Sequence, residues 1–549
     1  MRRLAASLLW VCLLSVSACV GTSPRPLARE VDVCVYGATS AGVVAAIRAT
    51  RDGLRVLLLD ADGWVGGLTT AGLGATDVGN QRAVGGLARD FYRRIRRFYE
   101  RPDAWRWQRR DEFGGRGHRA GEDAAWTFEP SAAQRVFAEM LDEAGVVPVR
   151  ARLLRDGAGG GVVKRGNRLL ELRCEGGLSV RSRVFLDCSY EGDLLAAAGC
   201  AYVVGRESNQ RYGETLDGVQ VARAEKHQFT VPVDPFVVPG DPSSGLLAHV
   251  HAGGPGAQGA RDRRVQAYCL RMCATDHPDN RVPWPRPAAY DPREYELLLR
   301  YFEAGSRHRP WHPVAMPNRK TDSNNNGAFS TDYLGASDAW PEGSYAVRER
   351  LYREHLRYQQ GLMWTLANHP RVPADVRAHF SAYGLAADEF ADNDHWPPLL
   401  YVREGRRLVG EAVVTEHHCV GRRVAHDPVG MGAYAMDSHN TQRYVDRRGA
   451  ARNEGDVQVR VPAPYGISYR ALTPHFEDAD NLLVPVAVSA SHIAFGSVRM
   501  EPVFMVLAES AATAAAMAVE GDCAVQDVPY AALRARLLAA GQVLAWTPR

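Results

Sequence analysis

The feature that most constrains the fold is a strand–turn–helix–strand pattern close to the amino terminus. Apolar, β-branched residues predict a strand over Val31–Tyr36, residues 43–51 predict a helix that stops before Gly53, and residues 55–59 predict a second strand that ends at Asp60. Two parallel strands joined by a helix form the unit that binds dinucleotides. We therefore expect an α/β fold with a Rossmann-like, three-layer nucleotide-binding domain.

The turn of this unit carries glycine where the backbone must bend or approach closely. Gly37 permits the tight turn, Gly42 lets the helix pack against the strand, and the positive amino end of the helix faces a pyrophosphate. Asp60 is placed to bind a ribose 2′-hydroxyl, whereas Thr39 replaces the usual central glycine. An ordinary glycine turn before a helix is the alternative. The predicted cofactor-binding residues of this unit are Gly37, Thr39, Ser40, Ala41, Gly42 and Asp60.

A second glycine-rich loop, Gly66–Gly74, follows Asp60 closely. A glycine loop so near the ribose-binding acid suits a flavin better than nicotinamide, because this segment then runs past the pyrophosphate toward the isoalloxazine. The loop therefore favours FAD, with an ordinary turn as the alternative. The predicted FAD contacts in this loop are Gly66, Gly67, Leu68 and Thr69.

The carboxyl-terminal part of the chain shows a second strand–loop–helix pattern. Residues 481–488 predict a buried strand, and residues 502–519 predict a helix that starts with proline. The loop and the positive end of that helix would face the flavin pyrimidine edge, where reduction builds up negative charge. The alternative is an ordinary strand–loop–helix that closes the sheet. The predicted cofactor contacts here are Gly496, Arg499 and Pro502.

These patterns predict that both ends of the chain form one FAD-binding domain around an inserted α+β substrate domain. The amino-terminal part of the FAD-binding domain spans residues 31–205, the inserted domain 206–430, and the carboxyl-terminal part 431–549. Residues 1–18 are predicted to be a signal peptide and residues 19–30 a tether.

The signal peptide is indicated by two arginines, an apolar run and a cleavage zone of small residues. The sequence Val16–Cys19 resembles a bacterial lipobox, so Cys19 is predicted to be lipidated; a plain secretory signal is the alternative. We expect export and lipid anchoring to the bacterial cell envelope, on the periplasmic side or at the cell surface. The lipid would then be the chain's only contact with a membrane.

Composition excludes nucleic acid as a partner, because a net charge of +3 provides no electrostatic footprint for it. A small-molecule substrate and an electron acceptor of open identity are the expected partners. No metal site is predicted, since His249 and His251 lack a third ligand at metal spacing. Most cysteines of the mature chain are predicted to be buried free thiols, with Cys188–Cys200 or Cys269–Cys273 as alternative disulfides.

A set of segments spread from Val31 to about Leu544 points to a family. The segments are residues 36–42, 66–74, 85–92, 128–130, 187–194, 320–327, 400–407, 436–440, 489–492 and 499–502. Together they resemble a family of bacterial FAD-dependent oxidoreductases, frequently exported, whose members are often automatically named xanthan lyase. The resemblance implies FAD, a glutathione-reductase-like fold and oxidoreductase activity. Trp64 departs from the arginine of other flavoproteins, and Ala512 stands where glycine is expected.

The resemblance also implies two further FAD contacts. In this fold, the apolar strand that begins at Val147 commonly lies along the adenine, and the loop after Asp187 returns near the ribityl chain or the pyrophosphate. For Asp187, the alternative is a structural role in a turn. For Asp193, capping of the following helix is the alternative.

The chemistry requires a base for the proton that leaves when hydride is transferred to a flavin. His492, in the loop before the last long helix, and His439 are the candidates, with a structural role as the alternative for each. Arg403 and Arg407 are four residues apart on a predicted helix and would bind a carboxylate or polyol; a solvated cationic face is the alternative.

The predicted function is therefore the transfer of a hydride from a small, sugar- or polyol-like substrate to flavin N5. Two alternatives stay open. One is a polysaccharide lyase, which needs a carbonyl-neutralising site and a Tyr or His base, and the other is a non-catalytic, glycan-binding lipoprotein on the same fold.

Overall fold

The computed structural model describes residues 27–155 and 160–548. The predicted signal peptide and Cys19 lie outside the described residues. The strands are β1 Leu27–Tyr36, β2 Val56–Asp60, β3 Val149–Arg150, β4 Val162–Arg165, β5 Arg168–Arg173, β6 Leu178–Asp187, β7 Tyr202–Val203, β8 Cys273–Thr275, β9 Arg281–Val282, β10 Trp311–Met316, β11 Lys320–Asn325, β12 Gly384–Ala386, β13 Arg407–Leu408, β14 Pro428–Gly432, β15 Met436–Ser438, β16 Gln442–Val445, β17 Ala451–Glu454, β18 Val457–Val459, β19 Tyr465–Ser468 and β20 Leu482–Leu483.

The helices follow the same numbering in chain order. They are α1 Ser40–Arg51, α2 Gly67–Thr70, α3 Gly86–Phe98, α4 Pro130–Ala144, α5 Asp193–Ala197, α6 Asn209–Tyr212, α7 Glu296–Glu303, α8 Tyr345–Asn368, α9 Ala374–Ala382, α10 Glu416–Cys419, α11 His492–Val498, α12 Glu501–Gly521 and α13 Tyr530–Ala539.

The main sheet has the strand order β3-β2-β1-β6-β5-β4, and β20 also pairs with β6. β1 lies parallel to β2 and to β6, so the predicted βαβ unit forms. The predicted tether, 19–30, was too long: β1 already begins at Leu27, because its first residues pair with Leu178 and its neighbours on β6. The nucleotide loop after β1 thus lies at the carboxyl edge of a parallel sheet, where ligands of this architecture bind.

The predicted strand over residues 481–488 is shorter in the structure. Only Leu482 and Leu483 pair with β6, although the whole run is buried. The reason is a change of hydrogen-bond partner: Val484 N–H donates to Leu472 O, and Ala487 O accepts from Leu408 N–H. The apolar pattern therefore indicated burial correctly, but not continued sheet pairing.

Helix α12 is apolar around its whole circumference and packs on α1. Among the described residues it is the one helix long and apolar enough to span a bilayer, and its apolar window is entirely buried in the protein. Ala512, at the position where a glycine was expected, is fully buried in this contact. Such burial is typical of a core helix.

Between the two ends of the chain lies a second, antiparallel sheet with the strand order β10-β11-β8-β12-β9. Helices α7, α8 and α9 accompany it in sequence. The cysteine prediction is confirmed for the described residues: Cys34, Cys174, Cys188, Cys200, Cys269, Cys273 and Cys419 are buried free thiols, and Cys523 is a half-buried one.

Candidate active site

The first glycine loop has a conformation that few other residues permit. Gly37 has a φ of +95°, and a Cβ on it would lie 2.8 Å from the carbonyl carbon of Cys188. A Cβ on Gly42 would overlap the carbonyl oxygen of Gly37. Thr39 caps α1, since its hydroxyl accepts the Gly42 N–H at 3.3 Å and donates to Cys188 O at 2.8 Å. Both predicted glycines are thus required by geometry, and Thr39 replaces the central glycine by serving as the cap.

The second glycine loop lies against the first. Gly66 and Gly67 have φ values of +94° and +56°, and the Gly66 N–H donates to Ala38 O at 2.8 Å. A Cβ on Gly67 would overlap the Tyr190 hydroxyl, which accepts the Leu68 N–H at 2.8 Å. The two loops and Tyr190 therefore form a single cradle without room for side chains at its glycines.

Glu501, the first residue of α12, joins the carboxyl-terminal segment to this cradle. Its carboxylate accepts hydrogen bonds from Ser40 Oγ at 2.6 Å, Thr69 Oγ1 at 2.8 Å and Tyr190 OH at 2.9 Å. Burial raises the pKa of Glu501 above its usual value. Our sequence reasoning missed Glu501 and Tyr190; the one available signal was an acid beside Pro502, at the start of an otherwise apolar helix.

A cavity of about 280 Å³ opens beside the cradle. It extends from Asp62 and Arg152, which follow β2 and β3, past Tyr190 to Leu400 and Val402. It therefore lies outside the carboxyl ends of the parallel strands, where a dinucleotide binds in this architecture.

Asp60 ends β2 as predicted and is buried. One of its carboxylate oxygens accepts the N–H groups of Gly63 and Trp64 at 2.8 and 3.2 Å. Asp60 therefore shapes the turn beside the cavity, and its second oxygen has no hydrogen-bond donor among the described residues.

The strand that was predicted to begin at Val147 begins two residues later. Val147 is 78% exposed and precedes β3, which begins only at Val149 because Pro148 has no N–H to donate. The residue that reaches the cavity beside this strand is Arg152.

Asp187 lies at the end of β6, as predicted, but its carboxylate binds protein groups. It accepts the Ser189 hydroxyl at 2.6 Å and the Leu195 N–H at 2.8 Å, and burial raises its pKa to about 6. These contacts favour the structural alternative for Asp187. Asp193 does not cap α5; it forms ion pairs with Arg348 at 2.7 Å and Arg406 at 2.9 Å.

His439 lies between two carboxylates. Its Nδ1 is 2.7 Å from Asp332 Oδ2, and its Nε2 is 3.4 Å from Asp437 Oδ2. Burial and the nearby Arg403 oppose the charged form, but the two aspartates prevail and raise the pKa of His439 above its usual value. His439 keeps 7% of its surface exposed, so it is not sealed in the core.

Three arginines surround the ring of Tyr401. Two of them pair with Asp332 and Asp437, the aspartates that contact His439, and we call this group of residues the His439 cluster. The guanidinium carbons of Arg403, Arg271 and Arg499 lie 4.6, 5.2 and 6.0 Å from the ring centroid. Each pairs with an aspartate: Arg403 Nη2 is 2.9 Å from Asp332, Arg271 Nη2 is 2.6 Å from Asp322, and Arg499 Nη2 is 3.2 Å from Asp437. The cluster is thus built from opposite charges in contact.

This charged cluster contacts the segment after the second glycine loop. Asp322 accepts the Ala75 N–H at 3.0 Å, and a Cβ on Gly72 would overlap the carbonyl oxygen of Arg271. A Cβ on Gly496 would lie 2.6 Å from the carbonyl oxygen of Asp437. A continuous path of contacts therefore runs from the cradle through Glu501 and Arg499 to the His439 cluster.

The predicted helix carrying Arg403 and Arg407 does not form. Arg407 is in strand β13, Arg403 lies in irregular structure, and both side chains are buried rather than solvated. Arg403 is paired as described above, whereas Arg407 contacts Glu404 and Glu207. The four-residue spacing therefore has no helical meaning, and neither guanidinium has an unpaired charge with which to bind a substrate carboxylate.

His492 begins helix α11 instead of lying in a loop, with Ser491 as its cap. Its Nδ1 is 2.8 Å from Glu404 Oε2, and its Nε2 is 2.9 Å from the Ser438 hydroxyl. Burial lowers its pKa well below the usual value, which favours the neutral ring. Both ring nitrogens of His492 therefore lie within 2.9 Å of protein groups, whereas Nε2 of His439 has only the 3.4 Å approach to Asp437, so His439 is the stronger candidate for a base.

The arrangement fits FAD. Among the described residues, the Ala41 N–H at the start of α1 has no acceptor, which suits a pyrophosphate oxygen. The buried Nε atoms of Arg403 and Arg499 also have no acceptor within the described chain. Residues of the glycine cradle would hold the pyrophosphate.

The chain is partially similar to several solved structures. The 3-ketosteroid-delta4-(5alpha)-dehydrogenase of Rhodococcus jostii RHA1 is 18% identical, over 32% of this chain and 51% of that one, with a TM-score of 0.19. The L-amino acid deaminase of Proteus vulgaris is 15% identical, over 34% of this chain and 54% of that one, with a TM-score of 0.24. The flavin-containing monooxygenase of Stenotrophomonas maltophilia is 18% identical, over 35% of this chain and 44% of that one, with a TM-score of 0.18. The matches span about half the length of those proteins, so they support no conclusion about activity.

No curated protein matches the chain in sequence. The model of the family described as FAD dependent oxidoreductase matches residues 32–537, nearly the whole described chain. The cofactor is FAD and the activity is that of an oxidoreductase. The chain therefore belongs to the FAD-dependent oxidoreductase family.

Proposed function

We propose that this oxidoreductase removes a hydride from the carbinol carbon of a small, neutral, sugar- or polyol-like substrate. When bound, FAD supplies the acceptor for that hydride. His439 accepts the proton of the hydroxyl group, while the C–O bond becomes a carbonyl. The observation that carries the proposal is the position of His439 between Asp332 and Asp437, since a base that is oriented by a carboxylate is the arrangement that general base catalysis requires.

The two ring nitrogens of His439 have different roles. The short 2.7 Å contact makes Nδ1–H a donor to Asp332, which fixes the tautomer and the plane of the ring. Nε2 has only the longer 3.4 Å approach to Asp437 and is therefore the nitrogen that accepts a proton. The raised pKa makes it a stronger base than free histidine.

Charge pairing supports a neutral substrate. Each arginine around Tyr401 already contacts an aspartate, so none of these three guanidinium groups is left unpaired for a substrate carboxylate. The neighbouring arginine donors and aspartate acceptors instead match substrate hydroxyl groups, which both donate and accept hydrogen bonds.

The experiment is anaerobic reduction of the FAD-loaded protein, followed by the loss of flavin absorbance in a stopped-flow instrument. Neutral sugars and polyols are compared with the corresponding aldonic acids. We expect bleaching by a neutral member, with a slower rate when the carbinol carbon carries deuterium. His439→Asn should keep the flavin spectrum and slow bleaching by about 10²–10⁴-fold. The matched control is His475→Asn, because His475 is exposed and distant from the cluster in the described contacts.

Other outcomes would contradict the proposal. Unchanged bleaching in His439→Asn would exclude this residue as the base. Cleavage of a polysaccharide to an unsaturated product, without bleaching, would favour the lyase alternative. A protein that binds glycans but holds no flavin would favour the binding alternative.

Export and lipid anchoring through Cys19 are part of the proposal, since the amino-terminal pattern alone supports them. Radiolabelled palmitate should enter the wild-type chain in a bacterial host and not Cys19→Ala. Equal labelling of both would contradict anchoring at this residue.

A further inference from the structure

We propose that His492 is a positioning residue: it fixes the strand that carries Asp437 and thereby sets the proton affinity of His439. The expected effect on turnover rests on the proposed function, whereas the expected effect on the pKa of His439 depends only on contacts within the protein. His492 itself does not contact the substrate, because both of its ring nitrogens are bound within the protein.

The first contact fixes strand β15. Ser438, the last residue of β15, donates its hydroxyl to His492 Nε2 at 2.9 Å. Asp437 precedes Ser438 and His439 follows it, so this hydrogen bond acts between the acid and the base. A shift of the Ser438 backbone would alter the 3.4 Å separation of Asp437 and His439 directly.

A second contact fixes the backbone of His439. Glu404 binds His492 Nδ1 at 2.8 Å and also accepts from Gln266 Nε2 at 3.1 Å. The side-chain oxygen of Gln266 in turn accepts the His439 N–H at 3.1 Å. Glu404 thus connects His492 to the base along a route independent of Ser438.

The network is rigid because it is buried and its charges are paired. Arg407 contacts Glu404 and lies 2.7 Å from Glu207, which accepts the His492 N–H at 3.1 Å. His492 is 2% exposed. Since buried, hydrogen-bonded polar groups have few alternative positions, loss of one contact should displace its neighbours. His439 then loses part of the contribution that Asp437 makes to its raised pKa, while Asp332 and the nearby Asp456 and His227 stay in place.

The experiment measures the pKa of His439 in the FAD-loaded protein by NMR of ¹³C-labelled histidine rings, with His439→Asn used for assignment. Ser438→Ala removes the hydroxyl that binds His492. We expect the pKa of His439 to fall by about one unit, because the supporting carboxylate becomes less well placed. Ser438→Thr restores the hydroxyl and should restore the pKa. Ser510→Ala, which removes another buried serine hydroxyl, is the matched control and should leave the pKa unchanged.

A second variant, His492→Gln, tests the same contact from the other side. It also removes the contact with Glu404, so it should lower the pKa of His439 at least as much as Ser438→Ala does. The double variant should add little to His492→Gln, because the hydrogen bond with Ser438 is already absent there. With a reducing substrate, we expect kcat to fall about tenfold with an unchanged KM, and the pH profile of kcat to move to lower pH.

An unchanged pKa of His439 in both variants would overturn the positioning role. So would loss of folding in both variants with Ser510→Ala intact, since His492 would then be purely structural. If the pKa falls as expected but no hydroxyl compound bleaches the flavin, the positioning role stands and the proposed function fails. If a polyol bleaches the flavin but the pKa does not change, the proposed function stands and the positioning role fails.

Discussion

Replacement of Gly42 by alanine tests the cofactor cradle directly. The added Cβ would overlap the carbonyl oxygen of Gly37 and lie 3.4 Å from the Cβ of Cys188. Neither neighbour can move cheaply, since the first is backbone and the second is buried in the core. The loop must open, at an overpacking cost of about 1–3 kcal/mol. If that cost falls on the bound state, FAD binds roughly 5- to 150-fold more weakly.

The assay is titration of the apoprotein with FAD, followed by quenching of flavin fluorescence, together with thermal unfolding of the apo and FAD-loaded forms. Gly114→Ala is the matched control, because a Cβ there meets nothing within 4 Å and φ lies outside the positive range. We expect normal FAD affinity for Gly114→Ala and weak affinity for Gly42→Ala. Wild-type affinity in Gly42→Ala would refute the assignment of this loop to the pyrophosphate.

Three further variants test the electrostatics. Asp332→Asn should lower the pKa of His439 by about 1–3 units, because the Asp332 carboxylate no longer offsets the effects of burial and Arg403. The same variant should slow flavin reduction about 10²–10⁴-fold in stopped-flow experiments. Lys320→Met should lower the free energy of unfolding in urea by about 3–5 kcal/mol, since the carboxylates of Glu129, Asp388 and Glu389 lose their common cation. The control Lys226→Met, at the surface, should change the free energy of unfolding by less than about 0.5 kcal/mol. His355 has a pKa of about 4 because it is buried, so its stabilising contribution is present above pH 6.5 and is lost as pH falls, by about 2 kcal/mol at pH 5. His355→Gln should show a correspondingly smaller loss of stability between pH 7 and pH 5, and an unchanged loss would contradict this account.

Local patterns accounted for the parts of the fold that form from neighbouring residues. The βαβ unit and helix α12 were predictable, because alternation, apolar runs and glycines report directly on a strand, a turn or a buried helix. The run from Asn481 to Val488 shows the limit of this reasoning. An apolar run indicates burial, whereas its hydrogen-bond partners, Leu472 and Leu408, come from elsewhere in the chain.

The candidate site was less predictable, because its residues acquire their roles from distant partners. His439 and His492 both follow a serine in sequence, yet one lies between two aspartates and the other is bound by Glu404 and Ser438. No spacing distinguishes them. Likewise, Arg403 and Arg407 suggested a helical face, since the sequence does not show which acids neutralise them.

The position of the site relative to the chain explains why both ends and the middle must fold together. The nucleotide loops come from the amino-terminal segment, whereas Glu501, which binds them, comes from the carboxyl-terminal one. The proposed base, His439, lies in the carboxyl-terminal segment, but its orienting acid, Asp332, comes from the middle. Under the proposed function, a substrate held by the middle segment would be oxidised at a junction that this segment itself helps to build. Because Arg499 lies two residues before Glu501 and contacts Asp437, displacement of α12 would disturb the cofactor cradle and the base together.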